Sequence, residues 1–548
     1  MDNKQLAEML FPNVKLSTQE IEQNFPPRNL PPTAQVVRFA PSPTGFLHIG
    51  NFFTAFIDRL TASKSNGVFF FRLEDTDKKR EVAGSELVAL NMLKAYDILP
   101  DEGLMPNLTQ IGNYGPYAQS QRTQIYLAYA KKLVANGKAY PCFCEKTDGK
   151  KEVIKKREQQ LTQDGDIEEQ DICRNLSYNQ IEQNLKANLP FAIRLKSCGL
   201  PDQTIKFYDE IRGERELHVN CKDVILVKNN GTPPYTFAHP IDDHLMGTTL
   251  VIRGEDWFPS LPCHLEITKA LGFAPPKYAH TPNLCMIGAN DNKLKLSKRM
   301  GASDMRFFIK QGYPKTAILE YLLNLANSGF ELWRKNNPQL CYKEFPFSIN
   351  KIGKSSPIFD LVKLDDVSKT IISKMNTETA YNNLFEWAKD NDEFMFNKIK
   401  ENSDFVKKIV NIGREISKPR KDIAKWKDFE TVFAFMFHAP TVFEWDTKFK
   451  SDIIKNVLLA FLKTFCILDS NEIFFGKLKD ICAPLGFSSD MKIFKANSEK
   501  FLGNIADIAC IIRTAITGKQ DSPDLYTIMQ ILGKIECENR TNFAYNSL

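Results

Sequence analysis

At 548 residues, with 43% hydrophobic and 25% charged residues and a net charge of +6, the chain has the composition of an ordinary globular protein of several domains. The mild positive charge permits a polyanionic partner without demanding one. No apolar run approaches the roughly 20 residues of a membrane helix, the N-terminal stretch lacks a secretory pattern, and the 12 cysteines are scattered without regular spacing. Membrane-spanning and disulfide-framed classes are thereby excluded, and a cytoplasmic protein with reduced thiols and no membrane partner is expected.

Residues 1–33 read as a short helix around Asn3–Phe11, then a polar stretch ending in Pro26-Pro27 and Pro31-Pro32, an N-terminal arm. Val36 to Gly50 reads as a buried strand, a loop of small and Pro/Gly residues, and a helix start. Asn51 suits the N-cap of a helix over Phe52–Asn66, with Gly67 as its stop. A helix N-terminus aimed at the end of a strand is an anion site, and His48 stands at its mouth.

Val68–Leu73 is a second strand, followed by Glu74-Asp75-Thr76-Asp77 and a helix over Glu81–Tyr96. In an open parallel sheet ligands bind outside the carboxyl ends of strands, so these acids face the same site as His48; a polar turn with capping acids reads equally well for Asp75 and Asp77. Residues 141–220 break the βα rhythm, with strands at Phe191–Leu195 and Thr204–Tyr208 and a charged helical run at Lys150–Gln160. Cys142, Cys144 and Cys173 could supply three zinc ligands, but no His lies between them and no fourth ligand is evident, so zinc is not expected and buried thiols are.

The sheet is expected to resume at Val224–Val227, followed by a turn at Asn229–Gly231. Tyr235 and His239 precede Asp242-Asp243-His244, read as acids capping a turn and helix. A strand over Thr249–Ile252 ends in Arg253, whose planar fork at a strand end is a natural carboxylate clamp. Lys293, Lys295, Lys298 and Arg299 gather four cations on a polar loop. Beyond an amphipathic helix over Pro314–Asn327, the rest is helical in pattern: Phe405–Ile416, Asp422–Phe437, Ile453–Leu468, Asn504–Ile516 and Leu525–Ile535. Trp387, Trp426 and Trp445 are read as core residues.

Two strings go further. Phe39-Ala-Pro-Ser-Pro-Thr-Gly45 with His48-Ile49-Gly50 resembles the "HIGH" signature of class I glutamyl-tRNA synthetases of bacterial type, and Lys295-Leu-Ser-Lys-Arg299 resembles their "KMSKS" loop. The resemblance covers residues 34–330 most specifically. It implies a Rossmann-like α/β parallel-sheet catalytic domain (34–140 and 221–330) with an α+β insertion (141–220) that holds the tRNA acceptor end. A junction (331–380) and an all-α anticodon-binding region (381–548, with a break near 480) complete it. It further implies an ATP-dependent ligase that activates L-glutamate to glutamyl-adenylate, releasing pyrophosphate, and transfers it to the 3′-terminal adenosine of tRNA(Glu).

By the same resemblance, His48, Lys295 and Lys298 are the catalytic set. ATP is held by His48, Gly50, Asn51, Lys295, Ser297 and Lys298, with Mg²⁺ bridging its phosphates and no protein metal ligand. Glutamate is held by Arg38, Ala40, Ser42, Glu74, Tyr235, His239 and Arg253. Many relatives carry Asn where this chain has His239, which adds positive charge and pH sensitivity if it is protonated. A monomer is expected. The alternatives are an enzyme that also charges tRNA(Gln), a catalytically silent tRNA-binding relative, a glutamyl transferase acting on a modified tRNA base, and a glutaminyl-tRNA synthetase.

Overall fold

The computed structural model describes residues 2–144, 172–288, 292–296 and 303–548. The helical run expected at Lys150–Gln160 lies outside them. The chain divides into two compact units, Met1–Arg306 with Leu322–Phe359, and Phe307–Tyr321 with Asp360–Leu548.

In the first unit, helices α1 (Asn3–Leu10) and α2 (Thr18–Asn24) form the arm. Strand β1 (Val36–Phe39) leads to α3 (Ile49–Ser65), and β2 (Val68–Phe71) to α4 (Ser85–Ala95). Strands β3 (Glu102–Leu104) and β4 (Gln110–Ile111) and helix α5 (Thr123–Ala135) follow. β1, β2 and β3 are parallel, and β4 pairs antiparallel with β3. Phe69, Phe70 and Phe71 are all buried, as expected for a strand covered on both faces. The turn from α3 into β2 needs glycine at position 67, because a Cβ there would lie 1.9 Å from the Gln35 carbonyl oxygen.

The middle of the chain supplies β5 (Ala139–Cys142), α6 (Tyr178–Lys186), β6 (Ala192–Leu195), β7 (Thr204–Asp209), β8 (Gly213–His218) and β9 (Ile225–Val227). The main sheet does not resume at β9, as the sequence suggested. β9 pairs antiparallel with β6, which pairs with β5, because Leu226 and Val227 join the apolar core shared with α1 and α5. The sheet resumes at β10 (Leu250–Gly254), after helix α7 (Tyr235–Leu245). After helix α8 (Leu261–Leu271), β11 (Lys277–Thr281) pairs parallel with β10, and β7 adds to β11 at Tyr278 and Asp209. Thr249 donates to the Val36 carbonyl and Gln35 lies alongside, which joins the two sheets edge to edge at β1 and β10. The polar loop expected before the second signature is partly a hairpin, β12 (Cys285–Ile287) against β13 (Lys293–Lys295).

The second unit is helical, from Leu361–Lys374 to Lys534–Asn546, around a core that includes Trp387 and Trp426, with Trp445 packed against it. It is not wholly α: Phe487–Ser488 and Gly503–Asn504 form a short parallel pair.

Besides the apolar residues of its helices, the N-terminal arm is held by an arginine that sequence reading did not single out. Arg28 pairs bidentately with Glu102 at 2.8 Å for both bonds, donates to the Met246 carbonyl, and lies 3.9 Å above the Tyr114 ring. Removing one partner of a nearly buried pair leaves the other uncompensated. Arg28→Ala is expected to destabilise this unit by about 3 kcal/mol, seen as a lowered unfolding temperature in calorimetry.

Candidate active site

The first signature begins the site. Helix α3 starts three residues earlier than the Asn51 cap predicts. Its N-cap is His48, whose ring Nδ1 accepts a hydrogen bond from the Gly50 N–H at 3.0 Å. An imidazole lone pair does here what a Ser or Asp oxygen usually does. Asn51 is exposed in the first turn, and Gly50 has the His48 ring 3.2 Å from where a Cβ would sit.

The segments leaving β1 and β2 run side by side. Arg72 N donates to Phe39 O, Glu74 N to Pro41 O and Val82 N to Pro43 O. Ala40 and Ser42 are therefore carried next to Glu74. The Asp75 carboxylate accepts from Ser120 N at 2.8 Å, in the first turn of the 3-10 helix Gln119–Arg122, so it holds that distant segment and does not cap the helix that follows it.

Helix α7 brings the opposing groups. Asp242 and Asp243 are buried within it, not at a cap as expected, and His239 is buried in the same helix. Asp242 accepts from Arg122, Gln119 and Tyr126 at 2.6 to 3.0 Å. Asp243 accepts from Arg72 at 2.7 Å and Arg38 at 3.4 Å, with His239 Nδ1 2.7 Å from its other oxygen. Arg72 also reaches Glu74 at 2.9 Å. Arg38 donates in addition to the Ile252 carbonyl, and neither bond uses its Nη2. Arg72 and Asp243, hidden among hydrophobic and helix-capping patterns, are the residues that sequence reading missed.

These contacts set the charges. Burial opposes ionisation of Asp243, but the charges of Arg72, His239 and Arg38 together hold it well below the usual carboxylate range. For Glu74 burial wins over Arg72 and Arg38, pushing it up to about 7. Burial likewise outweighs Asp243 at His239, pushing it down to about 4. The added positive charge considered for His239 is therefore absent at neutral pH.

Arg253, at the end of β10, is nearly buried, and its guanidinium donates to His280 Nε2 and His264 Nδ1, each at 3.0 Å. Tyr235 stacks on His239 with ring centres 5.2 Å apart and lies 4.8 Å from the Trp257 ring; His264 lies 4.9 Å from His239. Tyr235, His239 and Arg253 are thus brought together around His264, and Asp243 links this group to Arg38, Arg72 and Glu74.

The second signature is only partly described. The backbone of Lys295 ends β13 opposite Cys285, while its side chain and Ser297, Lys298 and Arg299 lie outside the described residues. Where the described chain returns, Asp304 pairs with His48 in an antiparallel bridge and Met305 N donates to Leu47 O.

Of the three cysteines, Cys142 and Cys173 are buried. The sulfurs of Cys142, Cys144 and Cys173 all lie within 4.8 Å of one another, and Cys144 is exposed. Three thiols at this spacing fit part of a tetrahedral zinc set, but no Cys, His or carboxylate among the described residues completes it, and Asn175 is exposed nearby in sequence.

With this geometry in view, comparison with known proteins is informative. Residues 35–342 match the family model described as tRNA synthetases class I (E and Q), catalytic domain, and residues 491–545 match an anticodon binding domain. The chain is 40% identical over 547 residues to a glutamate–tRNA ligase of Acetivibrio thermocellus, covering 98% of this chain and 99% of that protein. It is 40% identical over 551 residues to that of Clostridium beijerinckii, covering 98% and 99%. Among solved structures it resembles a glutamate tRNA ligase from Elizabethkingia meningosepticum in complex with its amino acid, with a TM-score of 0.71 and 26% identity over 94% of this chain and 99% of that one.

The site carries a pH signature of its own. Glu74→Gln keeps an acceptor toward Arg72 and removes the ionisation. A carboxyl raised from 4.5 to about 7 favours the folded state fully below 4.5 and loses that contribution as pH rises through 7. Relative to Glu74→Gln, the unmodified protein is expected to lose stability across that window and to change no further above it, as read by thermal unfolding at a series of pH values.

Proposed function

The chain belongs to the glutamate–tRNA ligases, a family of class I aminoacyl-tRNA synthetases, and on that premise we propose how its residues divide the reaction. The glutamate α-carboxylate attacks the α-phosphorus of ATP, giving glutamyl-adenylate and pyrophosphate, and the terminal ribose of tRNA(Glu) then takes the glutamyl group. No protein nucleophile is needed. The work is alignment, and stabilisation of charge moving onto pyrophosphate.

His48 and the α3 N-terminus at Gly50 and Asn51 take phosphate oxygens and the nucleoside. The capping bond fixes the His48 ring and turns its Nε2 away from its own helix. Lys295, Ser297 and Lys298 engage the triphosphate, with Lys298 acting on the transition state. Mg²⁺ enters with ATP and neutralises its phosphates. Glu74 takes the glutamate α-amino group together with Ser42 and the Ala40 carbonyl. A carboxyl poised near 7 without ligand ionises once an ammonium replaces the lost solvent.

The observation that carries the amino-acid reading is Arg253. Arg38, Arg72 and Arg122 all have carboxylate partners, whereas Arg253 makes no ion pair among the described residues. It lies beside Tyr235, whose ring adjoins it through His264 and Trp257. A side-chain carboxylate supplies the missing charge and an amide does not. Arg38, already committed to Asp243, supports the pocket from β1, and neutral His239 contributes a hydrogen-bonding wall.

Residues 141–220 are assigned to the tRNA acceptor end and the helical 381–548 region to the anticodon, in keeping with the anticodon-domain match. The protein works in the cytoplasm as a monomer. The decisive assay is ATP–pyrophosphate exchange with glutamate, with and without tRNA, followed by charging of purified tRNA(Glu) and tRNA(Gln) side by side. Exchange in neither condition overturns the reading, and equal charging of both tRNAs makes the enzyme non-discriminating. Arg253→Gln is expected to raise the glutamate KM by about 10²-fold. Lys298→Ala is expected to lower kcat by about 10²-fold with a smaller effect on glutamate KM. His239→Asn is expected to leave the pH profile unaltered between about pH 6 and about pH 8, since a group near 4 does not titrate there.

A further inference from the structure

Arg253 is unusual for what holds it. Its Nε donates to His280 Nε2 and its Nη1 to His264 Nδ1, both at 3.0 Å, and Nη2 reaches the Trp257 carbonyl at 3.4 Å. All three acceptors are uncharged. A guanidinium has no lone pair to offer, so both ring nitrogens facing it must be unprotonated. His264 therefore carries its proton on Nε2, and His280 carries its own on Nδ1. The latter lies 2.6 Å from the Asp209 carboxylate, which also accepts from the His280, Ile211 and Arg212 backbone N–H groups and so cannot turn away. Both histidines are fully buried, and burial favours the same neutral rings. The face of Tyr278, 5.1 Å from the guanidinium carbon, adds another neutral support.

A second observation points to a ligand. The His264 Nε2–H is buried and has no hydrogen-bond partner among the described residues, and it belongs to the ring against which Tyr235 and His239 pack. His239 Nε2, in the same cluster, is also buried without a partner. A fold that could satisfy Arg253 with a carboxylate, as it does Arg38 and Arg72, instead uses imidazole lone pairs and leaves polar atoms unspent around it.

We propose that His264 and His280 are positioning residues that hold Arg253 as an uncompensated cation, and thereby set the preference of this site for a side-chain carboxylate over its amide. The inference rests on the reading of Arg253 as the glutamate clamp. It adds that the selectivity resides in the neutrality of the groups behind the clamp as much as in the clamp itself. A carboxylate at either position fixes Arg253 equally well but cancels the charge that discriminates.

The test compares isosteres in the full chain. His264→Asn presents a neutral acceptor close to the Nδ1 position, and His264→Asp presents the same shape with a charge. ATP–pyrophosphate exchange with tRNA present is measured for glutamate and for glutamine, with ATP KM and unfolding temperature as controls for folding. Relative to His264→Asn, His264→Asp is expected to raise the glutamate KM about tenfold or more, to change kcat little, and to narrow the glutamate-to-glutamine ratio of kcat/KM by a similar factor. Should His264→Asp not fold, His280→Glu against His280→Gln makes the same comparison from the other ring. Equal glutamate KM and equal discrimination within a folded pair, with Arg253→Gln strongly impaired, overturn the inference and leave the clamp standing. An unimpaired Arg253→Gln overturns both.

Discussion

The Asp243 carboxylate is the contact on which the rest of the site depends. It is carried on the buried face of α7 and faces Arg72, just past the end of β2, Arg38 from β1 and His239 from its own helix. Each of these strands ends in a loop assigned to substrate, so one buried anion fixes how the two halves of the nucleotide fold meet. Such an arrangement is costly to assemble, since every ion must leave water, and costly to break, since the remaining charges are then stranded. Arg72 shares itself between Asp243 and Glu74, so the position of Glu74 is set by a carboxylate about 170 residues further along the chain.

The balance of charges supports the anionic ligand proposed for this site. Arg38, Arg72 and Arg122 are matched by Asp242, Asp243 and Glu74, but Glu74 is only half ionised near neutrality. Arg253 stands outside this set with neutral acceptors alone. The unliganded site therefore carries an excess of positive charge in a poorly solvated place. In the proposed reading, an amino acid with a second carboxylate relieves that excess, and its ammonium group at the same time completes the ionisation of Glu74. On that reading binding and charge balance are one event, and the amide is a poor substitute even though its shape is nearly the same.

Much of this was legible in the residues. β1, β2 and α3 were found from apolar runs and loop chemistry, and the strand-end logic placed Glu74 and Arg253 at the carboxyl ends of strands, where they lie. What was missed has a common cause. The arginine partners of Asp243 lie 205 and 171 residues away in sequence, so its neighbours in the chain do not distinguish it from a helix-capping acid. His48 was overlooked as an N-cap because its ring nitrogen is an uncommon acceptor there. β9 was given to the wrong sheet because a short apolar strand carries no mark of which neighbour it will pair with. His239 was allowed a charge because its sequence neighbours do not reveal that it is wholly buried.

The middle of the chain shows how far local pattern can mislead about division of labour. β7 and β8 fall within the 141–220 segment assigned to the tRNA acceptor end, yet β7 joins β11 at the edge of the catalytic sheet. Asp209, the last residue of β7, reaches His280 on β11, and His280 reaches Arg253 on β10. A carboxylate from the segment proposed for the acceptor end thus fixes the tautomer of the ring that supports Arg253, the proposed amino-acid clamp. The order of groups matters. Were Asp209 itself against Arg253, the cation would be neutralised. With an imidazole between them, the carboxylate orients the support while its charge stays one ring away. The fold uses acids directly where it needs a fixed framework, at Arg38, Arg72 and Arg122, and through a neutral relay where the cation must stay available.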